Sequence, residues 1–313
     1  MKRFLSKNLL VLIMGAVCLF LAWRSQNFLT EGNLLNLIRR TSAVAVTAVG
    51  ETLVIITGGI DLSVGSVAAL AGVVSTRVLR DSEFPVLVGI LVGIGTGLLC
   101  GGINGALVTR GKIPPFIVTL GMMLAARGAA HVLAGGSRIS GMSSGFRLLG
   151  GSEVPWIPFV VTLVIVAIFA VVLYHTRFGR QVYAAGGNLV SARLSGVPVD
   201  WVRFSVYALC GMLAGFAGIM ISSRTGVGDP TMAEGMELDS IAACVVGGAS
   251  LMGGEGGAFG ALFGALIIGT LVQLCQLNGM SDEWQRIVVG TLIVVLVFFD
   301  NMRKRRSGRL SDL

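Results

Sequence analysis

Charged residues are scarce in this sequence, and the stretches between them are strongly apolar. Asp, Glu, Lys and Arg make up 13% of the 313 residues, whereas hydrophobic residues make up 54%. Soluble globular domains carry about a quarter charged residues. No hydrophilic stretch is long enough to form a separate soluble domain. The composition therefore predicts a single transmembrane domain over 1–313, an all-α polytopic membrane protein embedded in the lipid bilayer.

The residue patterns of several kinds of chemistry are missing as well. An ATP-hydrolysing site needs G-x-x-x-x-G-K-[ST], and the nearest stretch, ALVTRGKI at 106–113, has Ala for the first Gly and Ile after the Lys. The two histidines, His131 and His175, lack the spacing of metal ligands, and the five cysteines fall singly in apolar runs. No serine–histidine or cysteine–histidine arrangement stands out. The sequence thus predicts no catalytic site, no metal site and no cofactor bound by this chain.

The net charge of +8 does not indicate a nucleic-acid partner. Part of it comes from the tail RKRRSGR at 303–309. Basic clusters next to a membrane span are held by anionic lipid and help to set the topology. We therefore expect this tail to lie at the membrane surface, and we expect no nucleic acid to bind.

Apolar segments of transmembrane length recur along the whole chain. A bilayer core needs about 20 apolar residues per helix. MKRFLSK followed by LLVLIMGAVCLFLAW is interpreted as an uncleaved first span, because no A-x-A cleavage site follows it. Nine further segments fall at 41–58, 63–79, 85–108, 115–134, 159–174, 204–222, 239–252, 257–275 and 286–300. About ten transmembrane helices are predicted, some of them broken or re-entrant, with 239–252 the shortest and weakest.

Ten spans place both termini on one side of the membrane, and the positive-inside rule assigns that side to the cytoplasm. The connections on that side hold Lys2, Arg3, Lys7, Arg110, Lys112, Arg177, Arg180, Arg193, Arg203, Arg303, Lys304, Arg305, Arg306 and Arg309. The opposite side holds most of the acids, namely Asp229, Glu234, Glu237, Asp282 and Glu283. Two connections are long, an outer one at about 135–158 and a cytoplasmic one at about 175–203.

Small residues at four-residue spacing let membrane helices approach closely. The sequence has 45 glycines, and one such set is Gly211, Gly215 and Gly218, while a second is Gly256, Gly260 and Gly264. Close helix–helix contacts are predicted at both sets.

The stretch GGIDLSVGS at 58–66 places Asp61 between two apolar segments. Gly58 and Gly59 can break one helix, and Asp61 with Ser63 can cap the start of the next, since short polar side chains accept hydrogen bonds from orphan backbone N–H groups. A functional interpretation is that a discontinuous helix exposes backbone groups along a substrate path. The two interpretations are compatible, and the sequence leaves both open.

Three further polar groups fall inside predicted spans, where ionisable side chains face a cavity or a partner. They are Asn104, Arg127 and Asp239. Arg127 could extend to the outer surface, form an ion pair with Asp239 or Glu51, or contact the substrate directly. Asp239 is also explained as an acid in the first turn of a helix.

The cytoplasmic connection contains AAGGNLVSARLSG, which can form a short amphipathic helix. Leu189, Ala192 and Arg193 share one face of it, and Gly186–Gly187 and Gly196 bound it. It would either lie on the membrane surface or dock into a cytoplasmic protein.

These stretches together resemble the permease subunit of bacterial ATP-binding-cassette importers for sugars, the ribose, xylose, arabinose and galactoside class. The resemblance covers nearly the whole chain and is carried by NFLTEGNLLNLIRRTS, VGETLVIITGGIDLSVGS, IPPFIVTLGMMLAARG, TRFGRQVYAAGGNLVSARLSGV, GMELDSIAACVVGGASLMGGEGG and GTLIVVLVFFDNMRKRR. It implies import of a pentose or hexose from the periplasm across the bacterial inner membrane. It also implies a cytoplasmic ATPase that binds ATP and Mg²⁺, a periplasmic sugar-binding protein, and a second permease, either another copy of this chain or a paralogue.

The resemblance assigns roles to two sets of residues. The helix that contacts the ATPase would involve Gly179, Gly187, Asn188, Ala192, Arg193 and Gly196. The turn at 58–66 would lie near the translocation path. A weak internal echo, GGIDLSVG against GGASLMGG at 247–254, is consistent with repeated structural halves.

Two functions from other classes compete with an importer permease. One is a proton-coupled secondary sugar transporter that uses Glu51 or Asp61 as the proton carrier. The other is a membrane scaffold or intramembrane enzyme without substrate flux. The long cytoplasmic connection favours the importer, because a carrier protein needs no docking element.

Overall fold

Helices account for nearly all the regular structure of this protein. The computed structural model describes residues 28–81, 84–151, 154–281, 283–291, 294 and 298. The helices run in chain order as α1 (Glu31–Ile56), α2 (Val64–Asp81), α3 (Val86–Thr109), α4 (Pro115–Ala134), α5 (Ser144–Leu148), α6 (Ile157–His175), α7 (Arg177–Gly187), α8 (Leu189–Leu194), α9 (Val199–Thr225), α10 (Met236–Val246) and α11 (Ala258–Leu277). Residues 283–291 are also helical. Within the described ranges, the one β contact is an isolated antiparallel bridge between Ile139 and Gly228.

Five helices are long and apolar enough to cross a bilayer, namely α3, α4, α6, α9 and α11. The prediction of an all-α protein with apolar spans is therefore confirmed for the part of the chain that the structure describes. The predicted first span lies outside the described residues, as does most of the segment predicted at 286–300.

Three element boundaries differ from the sequence-based ones. Helix α1 begins at Glu31, ten residues before the predicted start at 41, because Asn33, Asn36 and Arg40 lie on one face beside α11. The stretch 239–252 forms only the 11-residue α10, which ends at Val246. At 1.5 Å per residue α10 is about 16 Å long, half the thickness of a bilayer core. The connection at about 175–203 holds two helices, α7 and α8, where one short helix was expected.

Helix α9 lies at the centre of the molecule and packs against α1, α2 and α3. A Cβ at Gly211 would overlap the carbonyl oxygen of Gly97, and one at Gly218 would overlap that of Ala68. The predicted close contacts at Gly211, Gly215 and Gly218 are therefore confirmed. The partners of Gly211 and Gly215 are Gly93, Gly97 and Gly101, which recur every four residues on α3, a pattern that the sequence analysis missed.

Between α9 and α10 the chain turns back into the protein alongside α2. Gly228 packs against Thr76 near the end of α2, whereas Ala233 reaches Gly65 near its beginning. Helix α10 then continues along α1, where the Ser240 hydroxyl lies 2.6 Å from the Thr47 hydroxyl. A non-helical segment followed by a half-length helix thus occupies the place of one predicted span.

Candidate functional site

The first glycine-rich turn, residues 57–63, ends α1 with a glycine in the left-handed conformation. Gly58 has φ +75°. Its N–H donates to the Ile55 carbonyl at 2.9 Å, and the Gly59 N–H donates to the Val54 carbonyl at 3.1 Å. This pair of bonds is the Schellman arrangement that ends many helices. The prediction that the two glycines break a helix is confirmed.

Asp61 is buried at the centre of a hydrogen-bonded cluster. Its Oδ1 accepts from the Ser63 N–H at 2.9 Å and from the Ser63 hydroxyl at 2.5 Å. The Asn104 amide donates to the Ser63 hydroxyl oxygen at 3.0 Å, and the Asp61 N–H donates to Oε1 of Glu51 at 3.0 Å. All four side chains are buried. The structure thus brings together three predicted site residues and Glu51, and ties α1 to α2 and α3.

The carboxylate of Asp61 holds Ser63, the residue immediately before α2, rather than bonding to N–H groups inside that helix. This is a turn of the Asx type, in which the side chain bonds to the backbone two residues further on. Tyr207 of α9 packs over this turn, and a Cβ at Gly59 would overlap its hydroxyl. No sequence motif marks Tyr207 as part of this site, because it is a single aromatic residue in an apolar helix.

The second glycine-rich turn, residues 247–257, ends α10 in the same way. Gly248 has φ +89°. Its N–H donates to the Val245 carbonyl at 3.0 Å, and the Ala249 N–H donates to the Cys244 carbonyl at 2.9 Å. The Gly254 N–H then donates to the Ile56 carbonyl at the end of α1, at 2.9 Å. Both turns therefore lie at the same end of the molecule and contact each other.

Helices α7 and α8 lie at this end too, and polar side chains cap both of them. The Thr176 hydroxyl accepts from the Gly179 N–H at 3.1 Å, and Oδ1 of Asn188 accepts from the Ser191 N–H at 2.8 Å. A Cβ at Gly179 would overlap the Leu173 carbonyl oxygen, so Gly179 allows α7 to pack on the end of α6. Gly196 has φ +81° and turns the chain into α9.

Helix α7 is fixed directly to both glycine-rich turns. A Cβ at Gly186 would overlap the Ile56 carbonyl oxygen and approach the Gly254 N–H, whereas one at Gly187 would meet open space. The Tyr183 hydroxyl donates to the Gly256 carbonyl at 2.7 Å. Partial burial, together with the neighbouring Tyr174, raises the pKa of Tyr183 to about 12, so the phenol keeps its proton as a donor at neutral pH.

Helix α8 presents a different set of side chains to solvent from the set that the sequence suggested. Ala192 is buried, and Arg193 forms an exposed ion pair with Asp200 at 2.8 Å. Val190 and Leu194 are 67% and 85% exposed. They were missed because the periodicity of so short a segment does not show which face points inward.

Arg127 holds the segment between α9 and α10. Its Nη1 donates to the Pro230 carbonyl at 2.7 Å and to the Met232 carbonyl at 2.9 Å. Of the three alternatives for Arg127, the ion pair with Asp239 or Glu51 does not occur among the described residues. The segment's backbone turns back into the protein and leaves carbonyl groups there that need donors, which explains the difference.

An acid on the surface fixes the same segment to the outer connection. Although partial burial opposes its ionisation, the hydroxyl and N–H of Thr231 and the guanidinium of Arg138 lower the pKa of Asp229. The Arg138 Nε lies 2.7 Å from Oδ2 of Asp229. Next to this pair, Ile139 and Gly228 form the isolated β-bridge.

Asp239 lies apart from the Asp61 cluster. It belongs to the first turn of α10, as predicted, and lines a narrow cavity between α1 and α11 at the end of the molecule away from α7 and α8. In the part of the chain that the structure covers, no three His, Cys, Asp or Glu residues are grouped so that they could hold a metal ion.

Comparison with known proteins shows which family the chain resembles in sequence. The family described as "Branched-chain amino acid transport system / permease component" matches residues 33–297. The ribose import permease protein RbsC of Escherichia coli (strain K12) is 42% identical over 287 residues, which cover 90% of this chain and 89% of RbsC. RbsC of Bacillus subtilis (strain 168) is 40% identical over 307 residues, covering 96% and 92%. The xylose transport system permease protein XylH of Escherichia coli (strain K12) is 33% identical over 370 residues, covering 96% and 94%.

No solved structure matches the chain. The matched residues include both glycine-rich turns, α7 and α8, and Arg127 with the segment that it holds. These matches cover most of the chain and confirm its resemblance to sugar-importer permeases. This chain belongs to the family of transport-system permease components that matches residues 33–297.

Proposed function

We propose that this chain is the transmembrane permease subunit of an ATP-driven importer, and that it moves a monosaccharide of the pentose or hexose class from the periplasm into the cytoplasm. The observation that carries the proposal is the 42% identity to a ribose import permease over 90% of the chain. The names of further relatives indicate xylose transport and fructose import. Sugars need no fixed charge in the path when a binding protein selects them, which agrees with the scarcity of charged residues.

The proposed topology has ten spans, with both termini in the cytoplasm of a bacterium and the chain in its inner membrane. The basic residues of both terminal stretches, 2–7 and 303–309, and of two connections support this orientation. Arg110, Lys112, Arg177, Arg180 and Arg193 all belong to the end of the molecule that carries α7 and α8, which the positive-inside rule assigns to the cytoplasm.

Three partners complete the proposed importer. They are a cytoplasmic ATPase that binds ATP and Mg²⁺, a periplasmic sugar-binding protein and a second permease, which is either this chain again or a paralogue. Helix α8 is the proposed ATPase contact, because it places Val190 and Leu194 in solvent at a cytoplasmic surface. Exposed apolar side chains in a polar rim are typical of docking surfaces. Arg193 and Asp200 would form part of that rim.

Helix α7 supplies a route from the ATPase contact to the interior of the permease. Gly186 touches the end of α1, and Tyr183 bonds to the second glycine-rich turn. A displacement of α8 would therefore reach both turns through the backbone packing at Gly186 and the Tyr183 hydrogen bond. In this proposal the two turns are the hinges of the translocation path, and the Asp61 cluster keeps the first hinge rigid.

One observation favours the proton-coupled alternative, namely that two carboxylic acids, Glu51 and Asp61, are buried next to each other, with the Asp61 N–H donating to Oε1 of Glu51. Uptake that collapses with an uncoupler while ATP is held high would establish that mechanism. Uptake that persists under those conditions and stops when ATP is removed supports the importer.

The ATPase contact is tested by Leu194→Asp and Val190→Asp in the tagged chain, purified from its native membranes in mild detergent. The wild type is expected to co-purify with an ATPase, and each variant to lose it while its yield in the membrane stays the same. A matched control is Leu29→Asp, because Leu29 is also exposed but lies at the opposite end of the molecule. A wild type that never brings an ATPase, even after cross-linking, would contradict the importer. Variants that retain it would contradict only the α8 contact.

A further inference from the structure

A stripe of polar side chains runs along the facing surfaces of α1 and α11, at the end away from α7 and α8. On α1 it comprises Asn33, Asn36 and Arg40, and on α11 it comprises Gln273 and Gln276. Residues three, four or seven positions apart share one face of a helix. The two faces meet, because the Gln273 amide donates to Oδ1 of Asn33. Amide and guanidinium groups are unfavourable in such apolar helices unless they face a cavity or a partner.

Two adjacent cavities lie along this stripe. A narrow one of about 70 Å³ is lined by Thr41 and Asp239 among other residues, and an open one of about 480 Å³ is lined by Asn36 and Gln276. Both include Arg40 and Gln273 in their walls. We call the joined space the α1–α11 groove and define it by Asn36, Arg40, Thr41, Asp239, Gln273 and Gln276.

Several polar groups of the groove have no hydrogen bond or ion pair to another described residue. Thr41 is only 3% exposed, and its hydroxyl has no hydrogen bond, although helical threonines commonly bond to a carbonyl in the preceding turn. Neither Arg40 nor Asp239 takes part in an ion pair between described residues. Arg39 and Arg224, beside the open cavity, form none there either. Buried polar groups are nearly always paired, so the unpaired Thr41 hydroxyl indicates a missing partner, whereas the exposed Arg40 can be solvated.

The mixture of groups indicates the chemistry of that partner. Arginine and amide N–H groups donate, the Asp239 carboxylate accepts, and the Thr41 hydroxyl does either. A simple anion would use only the donors and would be repelled by Asp239, and a cation would be repelled by the arginines. A ligand with several hydroxyl groups matches both sets, because each hydroxyl donates one hydrogen bond and accepts others.

We propose that the α1–α11 groove is the surface on which the permease contacts the sugar on its outer side. This rests on the proposed function, and it assigns the contact to residues other than the glycine-rich turns. The Asp61 cluster does not serve this purpose, since the Asp61 carboxylate accepts from Ser63, the Glu51 carboxylate accepts from the Asp61 N–H, and all three side chains are buried. In the groove, Asn36 and Arg40 are exposed and Asp239 is partly exposed.

The first test is Thr41→Val, which removes one unpaired hydroxyl and keeps the shape of the side chain. The importer is reconstituted with its ATPase and binding protein, and both sugar flux and ATP hydrolysis are measured with D-ribose, D-xylose and D-fructose. We expect sugar flux to fall by about two- to tenfold, the effect of losing one hydrogen bond to the ligand. ATP hydrolysis without sugar and the melting temperature should not change, because no bond within the protein is lost.

Thr47→Val is the matched control on the same helix. Its hydroxyl lies 2.6 Å from that of Ser240 and outside the groove, so this substitution should lower the melting temperature and reduce flux and ATP hydrolysis together. If Thr41→Val behaves in the same way, or leaves sugar flux unchanged, the groove does not contact sugar.

The second test measures access to the groove. Asn36→Cys is labelled from outside with a membrane-impermeant thiol reagent, and the four cysteines of the described residues are buried and should not react. Sugar added to the working importer should slow this labelling by about twofold or more. Glu31→Cys is the control, since Glu31 is exposed but lies about 140° around α1 from Asn36. Slowing by phosphatidylglycerol vesicles instead of sugar would assign the groove to a lipid headgroup and overturn the proposal.

The outcomes separate this inference from the proposed function. If the wild type imports none of the three sugars and binds no ATPase, the proposed function is wrong. If the wild type imports sugar and both groove variants behave as their controls do, only the groove assignment is wrong.

Discussion

The two glycine-rich turns share one backbone geometry but have different surroundings. Each ends a helix with a left-handed glycine, Gly58 in one and Gly248 in the other, and each has the same pair of N–H to carbonyl bonds. The first turn surrounds a buried acid, Asp61. The second turn packs its glycines against α1 and α7. A helix end is thus a local property, whereas its role depends on what packs around it.

The backbone geometry also corrects the alignment of the two turns that their similar sequences suggest. Matching GGIDLSVG with GGASLMGG places Gly58 opposite Gly247. The left-handed glycines, however, are Gly58 and Gly248, so the structural match is displaced by one residue. The repeated letters reflect equivalent helix ends rather than equivalent positions.

The largest expected effect comes from breaking the contact that α7 makes with both turns. In Gly186→Ala the added Cβ would overlap the Ile56 carbonyl oxygen, and two backbones would have to separate. We expect a loss of more than about 3 kcal/mol of stability, beyond ordinary overpacking, with transport abolished. Thermal unfolding in detergent and sugar uptake measure the two effects. Gly187→Ala is the matched control and should be nearly neutral, because its Cβ would meet open space. Equal effects of the two substitutions would contradict the described packing of α7.

Asp61 distinguishes the first turn from the second, and its removal should have an intermediate effect. Asp61→Leu leaves the Ser63 N–H and hydroxyl without their acceptor, which we expect to cost about 2–3 kcal/mol. Asp61→Asn keeps an acceptor oxygen and should cost about 1 kcal/mol or less. Melting temperature and uptake should therefore rank wild type, Asn and Leu in that order. Two variants that fold equally well but transport equally badly would indicate a role for the charge itself and favour the proton-coupled mechanism.

The smallest effect tests the equivalence of the turns. A Cβ at Gly58 or Gly248 would meet no atom within 4 Å, so Gly58→Ala and Gly248→Ala would introduce only the strain of a left-handed alanine. Each should destabilise the protein by about 1 kcal/mol. Melting temperatures that fall by the same amount would confirm that the two turns have equivalent backbone structures. Unequal shifts would mean that the turns differ in more than their surroundings.

Much of this protein could be predicted from residue patterns that act locally. The apolar runs at 85–108, 115–134 and 257–275 correspond closely to α3, α4 and α11, because each has helix-length hydrophobicity between polar ends. Gly58 and Gly59 marked a helix end for a local reason. A helix often ends with a residue of positive φ, and glycine adopts that conformation far more readily than other residues do. The start of α1 was placed too late because Asn33, Asn36 and Arg40 look like loop residues until their common face is known.

The sequence by itself determined that the chain is helical and apolar, where one helix ends at Gly58, and which family the motifs resemble. These properties depend on hydrophobicity, backbone preference and letter patterns, all of which act within a few residues. Only the tertiary structure decided that Arg127 binds the carbonyls of Pro230 and Met232 rather than an acid, and that the Asp61–Ser63 turn bonds to Glu51 and Asn104. These contacts join residues that are distant in the chain, and their choice among several polar partners depends on how the helices pack.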